Sequence, residues 1–321
     1  MRAVRVTRPD GPEALEVGEV AEPVRKDGEV LVEVRAAGVN FPDLLLTQDR
    51  YQYKPERPFV LGGEFAGVVL EAPSSSEFSP GDRVAGSSTL GAFAERVSVP
   101  AASVFPLPER TSFAEGACVP MNYLTMSFAL VTRGQLGEGE TVLVHGAAGG
   151  IGTATIQLAG ALGARVISVV STPEKAEFVK GVGSHEAVLV ENFKDAVLEL
   201  TDGRGVDVVV DPVGGPRFTD SLRCLAPLGR LLVIGFTDGE IPTVKVNRLL
   251  LNNIDVRGVG WGAYAYPREG YVRQEWDRLL PHLESGVVAP PISGTYPLER
   301  AGEAVALLGE RSVLGKVVLE P

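Results

Sequence analysis

A strand, a glycine turn and a helix follow one another within residues 141–163, TVLVHGAAGGIGTATIQLAGALG, and few folds accommodate that order. Thr141, Val142, Leu143, Val144 and His145 form a run too short for a helix and apolar on both faces, as a central parallel strand is. Gly146, Gly149 and Gly152 come next at G-x-x-G-x-x-G spacing, with Gly150 between. Ile151, Ile156, Leu158, Ala159 and Leu162 then give the apolar positions of a buried helix, which Gly163 stops. A helix start offers unpaired N–H groups and the positive end of the dipole, and residues without side chains let a pyrophosphate approach them. Gly146, Ala148, Gly149, Gly150, Ile151 and Gly152 are therefore candidate cofactor contacts. The usual dinucleotide fingerprint is G-x-G-x-x-G, and Ala147 stands at its first glycine. A tight strand-to-helix crossover without a ligand would use the same residue types.

Beyond Gly163 the chain repeats the same logic. Strands are predicted at Arg165–Val170, 187–190, 206–210 and 229–235, alternating with helices at Pro173–Val182, 193–201 and 215–225. Strand–helix alternation at this spacing means parallel strands joined by right-handed crossovers, a doubly wound sheet. Past about residue 259 the alternation breaks, with helices predicted at Tyr271–Ser285 and 298–308 and a last strand at 316–319.

The part preceding the alternation is different in kind. Short β-rich runs at 1–6, 29–36, 67–70 and 94–99 are separated by glycine and proline, which predicts a strand-rich, partly barrel-like domain. One helix interrupts it, starting after Asn40 or Phe41 with Pro42 early and Asp43 near its positive end, and leading to the loop Tyr51-Gln52-Tyr53-Lys54-Pro55. A helix pair over 108–134, capped by Thr111 or Ser112, carries the chain onward.

With 321 residues the chain is long enough for two domains with cores of their own. A net charge of −11 argues against nucleic acid or an anionic membrane as partner. No run approaches the ~18 apolar residues of a membrane span, and the first residues lack the apolar stretch of a signal peptide, so a cytoplasmic location is expected. Two cysteines, Cys118 and Cys224, with three histidines make neither a disulfide framework nor an ordinary closed zinc site.

In a dinucleotide fold the tip of the second strand meets the adenosine ribose, and an acid there favours NAD. Here the tip reads Val170-Ser171-Thr172-Pro173-Glu174-Lys175, with no acid at the strand end. Ser171 and Thr172 can donate to a 2′-phosphate and Lys175 can neutralise it, which favours NADP(H). Thr172 is equally readable as the cap of the helix that Pro173 begins. Glu191, after the third strand, would repel a 2′-phosphate and tempers the preference. Asp211-Pro212-Val213-Gly214-Gly215 and Gly235-Phe236-Thr237 lie where loops at strand ends line a ligand crevice, and turn geometry alone explains their glycines equally well.

The words Gly38-Val39-Asn40-Phe41-Pro42-Asp43, Gly63-Glu64-Phe65-Ala66-Gly67, Pro80-Gly81-Asp82-Arg83-Val84, Asn122-Tyr123-Leu124-Thr125, His145-Gly146-Ala147-Ala148-Gly149-Gly150-Ile151-Gly152 and Gly315-Lys316-Val317-Val318-Leu319 together carry a resemblance. The chain resembles the zinc-free quinone oxidoreductase branch of the medium-chain dehydrogenase/reductase superfamily. The resemblance implies an α/β protein, with a discontinuous GroES-like catalytic domain (1–120 and 260–321) and a Rossmann dinucleotide-binding domain (121–259) inserted in it. Zinc-dependent relatives carry a cysteine where this chain has Asn40 and a His-Glu pair where it has Gly63-Glu64, so a zinc alkoxide is not expected.

By match to the family's motifs, Asn40 is implied as a contact of the nicotinamide ribose or the acceptor and Thr125 as a contact of the cofactor near the nicotinamide, and with Tyr51 they are the candidate catalytic residues; Lys316, within its motif word, and Gly235 and Phe236, by their place at a strand end, are further candidate cofactor contacts. Capping and helix burial are the competing roles of Asn40 and Thr125. Tyr51 lies at the spacing from Asn40 at which related enoyl-thioester reductases place a protonating tyrosine, and an exposed loop tyrosine fits the position equally well. The implied activity is NADPH-dependent reduction of a quinone or another α,β-unsaturated carbonyl. The alternatives are 2-enoyl thioester reduction and a non-catalytic nicotinamide-binding role. A homodimer is implied, with edge residues near 252–259.

Overall fold

The computed structural model describes every residue from Met1 to Pro321, and the chain divides into two compact units, Met1–Asn122 with Glu269–Pro321, and Tyr123–Arg268. No helix is long and apolar enough to cross a membrane.

The discontinuous unit is built on the long strand Glu29–Val39, whose alternating buried positions Val30, Val32 and Val34 face the core. A seven-stranded sheet runs in the order Ile292–Pro297, Lys316–Glu320, Glu29–Val39, Glu64–Glu71, Arg83–Ser87 and Val104–Pro106, with Arg96–Pro100 also paired to the long strand. A smaller antiparallel sheet sets Arg2–Val6 between Glu16–Glu19 and Phe59–Val60. The expected strand 29–36 extends to Val39 because the last strand of the chain pairs antiparallel with it, Val317 opposite Val39 and Leu319 opposite Ala37. Local sequence cannot report that partner, which comes from the other end of the chain.

Phe41–Thr47 is the expected interrupting helix; Asn40 precedes it in extended conformation, and the Asp43 carboxylate accepts the Asn40 backbone N–H at 2.8 Å. Tyr271–Ser285 packs on this unit, with Trp276 fully buried and stacked on Phe105 at 4.7 Å. The expected helix pair over 108–134 is more broken than its pattern suggests: Phe113–Gly116, then Pro120–Ser127 running into a π-helical turn Phe128–Arg133. Ser112, not Thr111, is the cap, its hydroxyl accepting the Glu115 N–H at 3.2 Å.

The second unit is a six-stranded, all-parallel sheet in the order Glu186–Leu189, Arg165–Val170, Thr141–Val144, Val206–Asp211, Leu225–Val233, Asp255–Gly258. This is the doubly wound order, and it reverses between Thr141–Val144 and Val206–Asp211. The strands Thr141–Val144 and Val206–Asp211 are buried along their whole length, as central parallel strands must be. One element departs from expectation. In place of a helix over 215–225, a 3₁₀ turn Gly215–Arg217 leads into a short helix Phe218–Arg223, and the next strand begins at Leu225 rather than 229. Leu225 already pairs with Val206, and the register slips before Val208 meets Arg230, so the strand gains an irregular start that the residues around Gly229 conceal.

Candidate active site

In the discontinuous unit, the candidate residues lie where the long strand, the strand Glu64–Glu71 and the last strand meet. Glu64 is wholly buried at the start of its strand, and Gly38 opposite leaves it room, since a Cβ there would stand 2.4 Å from Glu64 Oε1. The carboxylate accepts from Asn40 Nδ2 at 2.7 Å and Lys316 Nζ at 2.9 Å through Oε1, and from the Met121 backbone N–H at 2.8 Å through Oε2. Asn40 Oδ1 accepts from Lys316 Nζ at 2.6 Å and Asn122 Nδ2 at 3.1 Å. The carboxamide of Asn40 is thus hydrogen-bonded to buried partners, while its backbone N–H and the Asp43 carboxylate belong to the capping box of Phe41–Thr47. Lys316 is 4% exposed and gives its third proton to the Val39 carbonyl at 2.9 Å.

Asp43 and Tyr51 form the outer part of this cluster. Burial pushes the Asp43 carboxyl up to about 7, against the pull of the Asn40 N–H and the Lys316 ammonium. Tyr51 is half-buried against the domain core, and its phenol is raised by burial and by the neighbouring Asp43 charge, so it stays protonated at neutral pH.

In the parallel-sheet unit the turn after Thr141–Val144 has the geometry of an anion cradle. Gly146 adopts φ +58°, Gly149 precedes the helix in extended conformation, and Gly150 and Ile151 open the helix Gly150–Ala161, with Ala148 buried in the turn. Gly152 presses on the turn itself: a Cβ there would lie 2.3–2.4 Å from the backbone of Ala147. The space over Gly149 is open by comparison, its nearest neighbour being Gly146 O at 3.5 Å. This cradle fits a pyrophosphate. At the tip of Arg165–Val170, Thr172 does cap the helix Pro173–Val182, accepting the Lys175 N–H at 3.2 Å, while Lys175 Nζ reaches Ser171 Oγ at 3.2 Å. Ser171, Thr172 and Lys175 therefore stand together beside the strand end, and capping leaves the Thr172 O–H proton available to donate.

The loops after the next two strands pack on each other. Asp211 Oδ1 accepts from the Val213 and Gly214 N–H groups at 2.9 Å each, and a Cβ on Gly214 would meet the Phe236 ring at 2.9 Å. Phe236 is part-exposed beside Gly235. Thr125 is half-buried on Pro120–Ser127, a helix tied to the cradle's helix by Tyr123 O–H donating to Gln157 Oε1 at 2.7 Å.

Sequence reasoning missed Glu64, Asn122 and His145 as parts of these arrangements. His145 is wholly buried at the strand end below Gly146, with Nε2 2.8 Å from Ser221 Oγ, and burial lowers it to about 3. All three stand in the motif words quoted above, and Glu64 is also an acid inside an otherwise apolar run, but nothing local gave their hydrogen-bond partners.

A six-stranded doubly wound sheet with a glycine cradle at its switch point, joined in one chain to a β-rich unit, defines a nucleotide-dependent oxidoreductase. Residues 26–109 match the alcohol dehydrogenase GroES-like domain and residues 150–285 the zinc-binding dehydrogenase family. The chain is 37% identical over 297 residues to quinone oxidoreductase-like protein 2 homolog of Nematostella vectensis, covering 91% of this chain and 81% of that one. Among solved structures, a probable oxidoreductase from Mycobacterium abscessus is similar at 44% identity and TM-score 0.92, over 100% of this chain and 99% of that one. Escherichia coli quinone oxidoreductase complexed with NADPH is similar at 29% identity and TM-score 0.92, over the whole of both chains. The protein belongs to the quinone oxidoreductase branch of the medium-chain dehydrogenase/reductase superfamily.

The family name that matches residues 150–285 mentions zinc, so the fit of zinc to this chain can be tested on its residues. At Asn40 and Gly63, where zinc-dependent relatives carry ligands, there is a carboxamide and no side chain, and the nearby Glu64 already holds an ammonium. No group of three or more His, Cys, Asp or Glu side chains is placed to hold a metal ion. Zinc prefers thiolate or imidazole, and the residues present do not fit it.

Proposed function

We propose that this oxidoreductase reduces quinones or other α,β-unsaturated carbonyl compounds with NADPH and without zinc. The observation that carries the reading is the glycine cradle at Gly146–Gly149–Gly152 with Ser171, Thr172 and Lys175, and no acid, at the next strand tip. The helix N-terminus would hold the pyrophosphate, and Ser171, Thr172 and Lys175 the 2′-phosphate. Gly235, Phe236 and Thr125 are the residues assigned to the nicotinamide half. Bound there, the dihydronicotinamide supplies the hydride.

The chain's own task is then to orient the acceptor and deliver a proton. Tyr51, kept protonated by burial and by the Asp43 charge, is the donor assigned to the enolate that forms when hydride adds to an enone. Its proton goes to the substrate, and the phenol is recharged from solvent. Quinone reduction does not require one fixed acid, so the two substrate classes depend on Tyr51 differently. A homodimer through the edge strand Asp255–Gly258 is the proposed assembly, supported by the exposed Val246, Leu250 and Leu251 next to that edge.

Steady-state assays with NADPH and a panel of quinones and enones, with and without chelator, test the reading. Turnover unaffected by chelator is expected. No NADPH oxidation with any acceptor would overturn it, and loss of turnover on chelation would overturn the zinc-free part alone.

A further inference from the structure

At the switch point of the parallel sheet, two buried polar side chains stand side by side at the carboxyl ends of neighbouring strands. Val144 lies opposite Val210, and the His145 N–H continues the ladder by donating to Val210 O at 3.0 Å, so His145 and Asp211 share the next register position. The alternation that sends Leu143 and Val209 into one core puts both side chains on that same face. There the His145 ring meets Phe193, a member of that core, edge-on at 4.9 Å. Both residues are at most 1% exposed. Neighbouring strands lie about 4.8 Å apart, which brings imidazole and carboxylate within the span of one small molecule.

One atom of each has no hydrogen-bond partner in the protein, His145 Nδ1 and Asp211 Oδ2. Both atoms are acceptors. The Ser221 hydroxyl donates to Arg217 O at 3.1 Å, so its oxygen receives the His145 Nε2–H at 2.8 Å. Burial and the Arg217 charge keep the ring neutral, which leaves Nδ1 without a proton. Asp211 Oδ1 accepts the Val213 and Gly214 N–H groups at 2.9 Å each, and Oδ2 accepts nothing from the protein. Two buried acceptors side by side are costly unless one donor serves both. A water molecule has two O–H protons to give, and buried waters bridge polar groups that the chain leaves unpaired. Arg217, whose charge acts on both residues, is the donor in this neighbourhood for the water's own oxygen.

We infer that His145 Nδ1 and Asp211 Oδ2 together bind one internal water, which donates to both and ties the phosphate cradle to the loop on the nicotinamide side. His145 immediately precedes Gly146, the first residue of the cradle. Asp211 holds the N–H of Gly214, and Gly214 lies against the Phe236 ring. The water thus joins the strand end that starts the cradle to the carboxylate that shapes the Phe236 loop, and His145 and Asp211 are positioning residues. The water site stands on the protein alone; its consequence for NADPH rests on the proposed placement of the two cofactor halves.

The full-length wild type decides the water site. A high-resolution crystal structure is expected to show one ordered water within about 3.2 Å of both atoms. ¹⁵N NMR of histidine-labelled protein at neutral pH is expected to show the ring protonated at Nε2, with Nδ1 shifted from the free-nitrogen value toward that of a hydrogen-bond acceptor; the His145→Gln spectrum assigns it among the three histidines. Two substitutions separate the ring's contacts. His145→Gln keeps an N–H donor at the place of Nε2 and nothing at Nδ1, so its structure is expected to lack the water. His145→Asn keeps an acceptor oxygen at the place of Nδ1 and is expected to retain it. His145→Gln is expected to bind NADPH about tenfold more weakly, the scale of one hydrogen bond, and 2′-phospho-ADP-ribose, which lacks the nicotinamide, within about twofold of wild type. His145→Asn is expected to stay within about twofold for both.

A direct hydrogen bond between Asp211 and His145, an Arg217 guanidinium seated on both acceptors, a ring protonated at Nδ1, or a water that persists in His145→Gln would each overturn the inference. Equal weakening of NADPH and 2′-phospho-ADP-ribose would overturn the tie between the two loops. Should the wild type bind no NADPH, the cofactor reading fails, while the electron density and the state of the ring still decide the water site.

Discussion

Gly152→Ala is the substitution whose effect can be worked most directly from the geometry. The added Cβ would lie 2.3 Å from Ala147 O and 2.4 Å from its carbonyl carbon and Cα. Carbon contacts become favourable only near ~3.5 Å, so the helix and the turn must part by roughly 1 Å. All three obstructing atoms are backbone, and no rotamer change relieves them. Overpacking of this kind costs about 1–3 kcal/mol, which at roughly 2–4 °C per kcal/mol for a unit of this size lowers Tm by roughly 2–12 °C. The same displacement pulls helix N–H groups from a bound pyrophosphate. Losing one charge-assisted hydrogen bond, about 1.5–3 kcal/mol, weakens NADPH roughly 10- to 150-fold. Gly160 supplies the control, because it lies in the same helix with nothing within 4 Å of its Cβ position. Gly160→Ala should leave affinity unchanged and stabilise by up to about 1 kcal/mol through helix propensity. Differential scanning fluorimetry and NADPH fluorescence titration read both variants. Wild-type affinity and Tm in Gly152→Ala would refute the argument that close backbone approach, and not glycine's flexibility, is what position 152 requires.

Lys175→Ala should weaken NADPH roughly tenfold and leave NADH unchanged, as judged by parallel titrations; equal loss for both cofactors would remove the 2′-phosphate from the role of this lysine. His145, lowered to about 3 in the fold, contributes stability that is complete above its unfolded value near ~6.5 and is lost as pH falls toward 3. Wild type should therefore lose more stability than His145→Gln between pH 7 and 5 in denaturant titrations, and parallel curves would show that the ring does not titrate this way. Asp43 has the opposite sign: raised to about 7, it contributes stability that is complete below its unfolded value near ~3.9 and is lost as pH rises through 7. Asp43→Asn should accordingly flatten the decline between pH 5 and 8 seen by hydrogen exchange in the discontinuous unit, and an unaltered slope would assign the decline to another group. Tyr51→Phe should cut enone reduction by about 100-fold or more while sparing quinone reduction, and equal losses would show that the phenol is not the proton donor.

The parallel-sheet unit was legible because its determinants are local. Thr141–Val144 announces burial through its residue types, and Gly146, Gly149 and Gly152 announce the turn through spacing. Pro173 and Gly183 bracket a helix in the way short-range capping rules dictate. The irregular start of Leu225–Val233 was not legible, because it depends on pairing with Val206.

The pocket around Asn40 divides in the same way. Sequence by itself supplied Asn40, Thr125 and Tyr51 as candidates, marked the absence of ligands at Asn40 and Gly63, and offered Lys316 as a cofactor contact. Tertiary structure decided what these residues do to one another. Lys316 and Asn40 are 276 positions apart, and the antiparallel pairing of Val317 with Val39 is what carries the ammonium to the carboxamide. A side chain's hydrogen-bond partners are set by the segments the fold brings beside it. For a buried amide between two charges those partners, more than its identity, determine which atom it presents and to what.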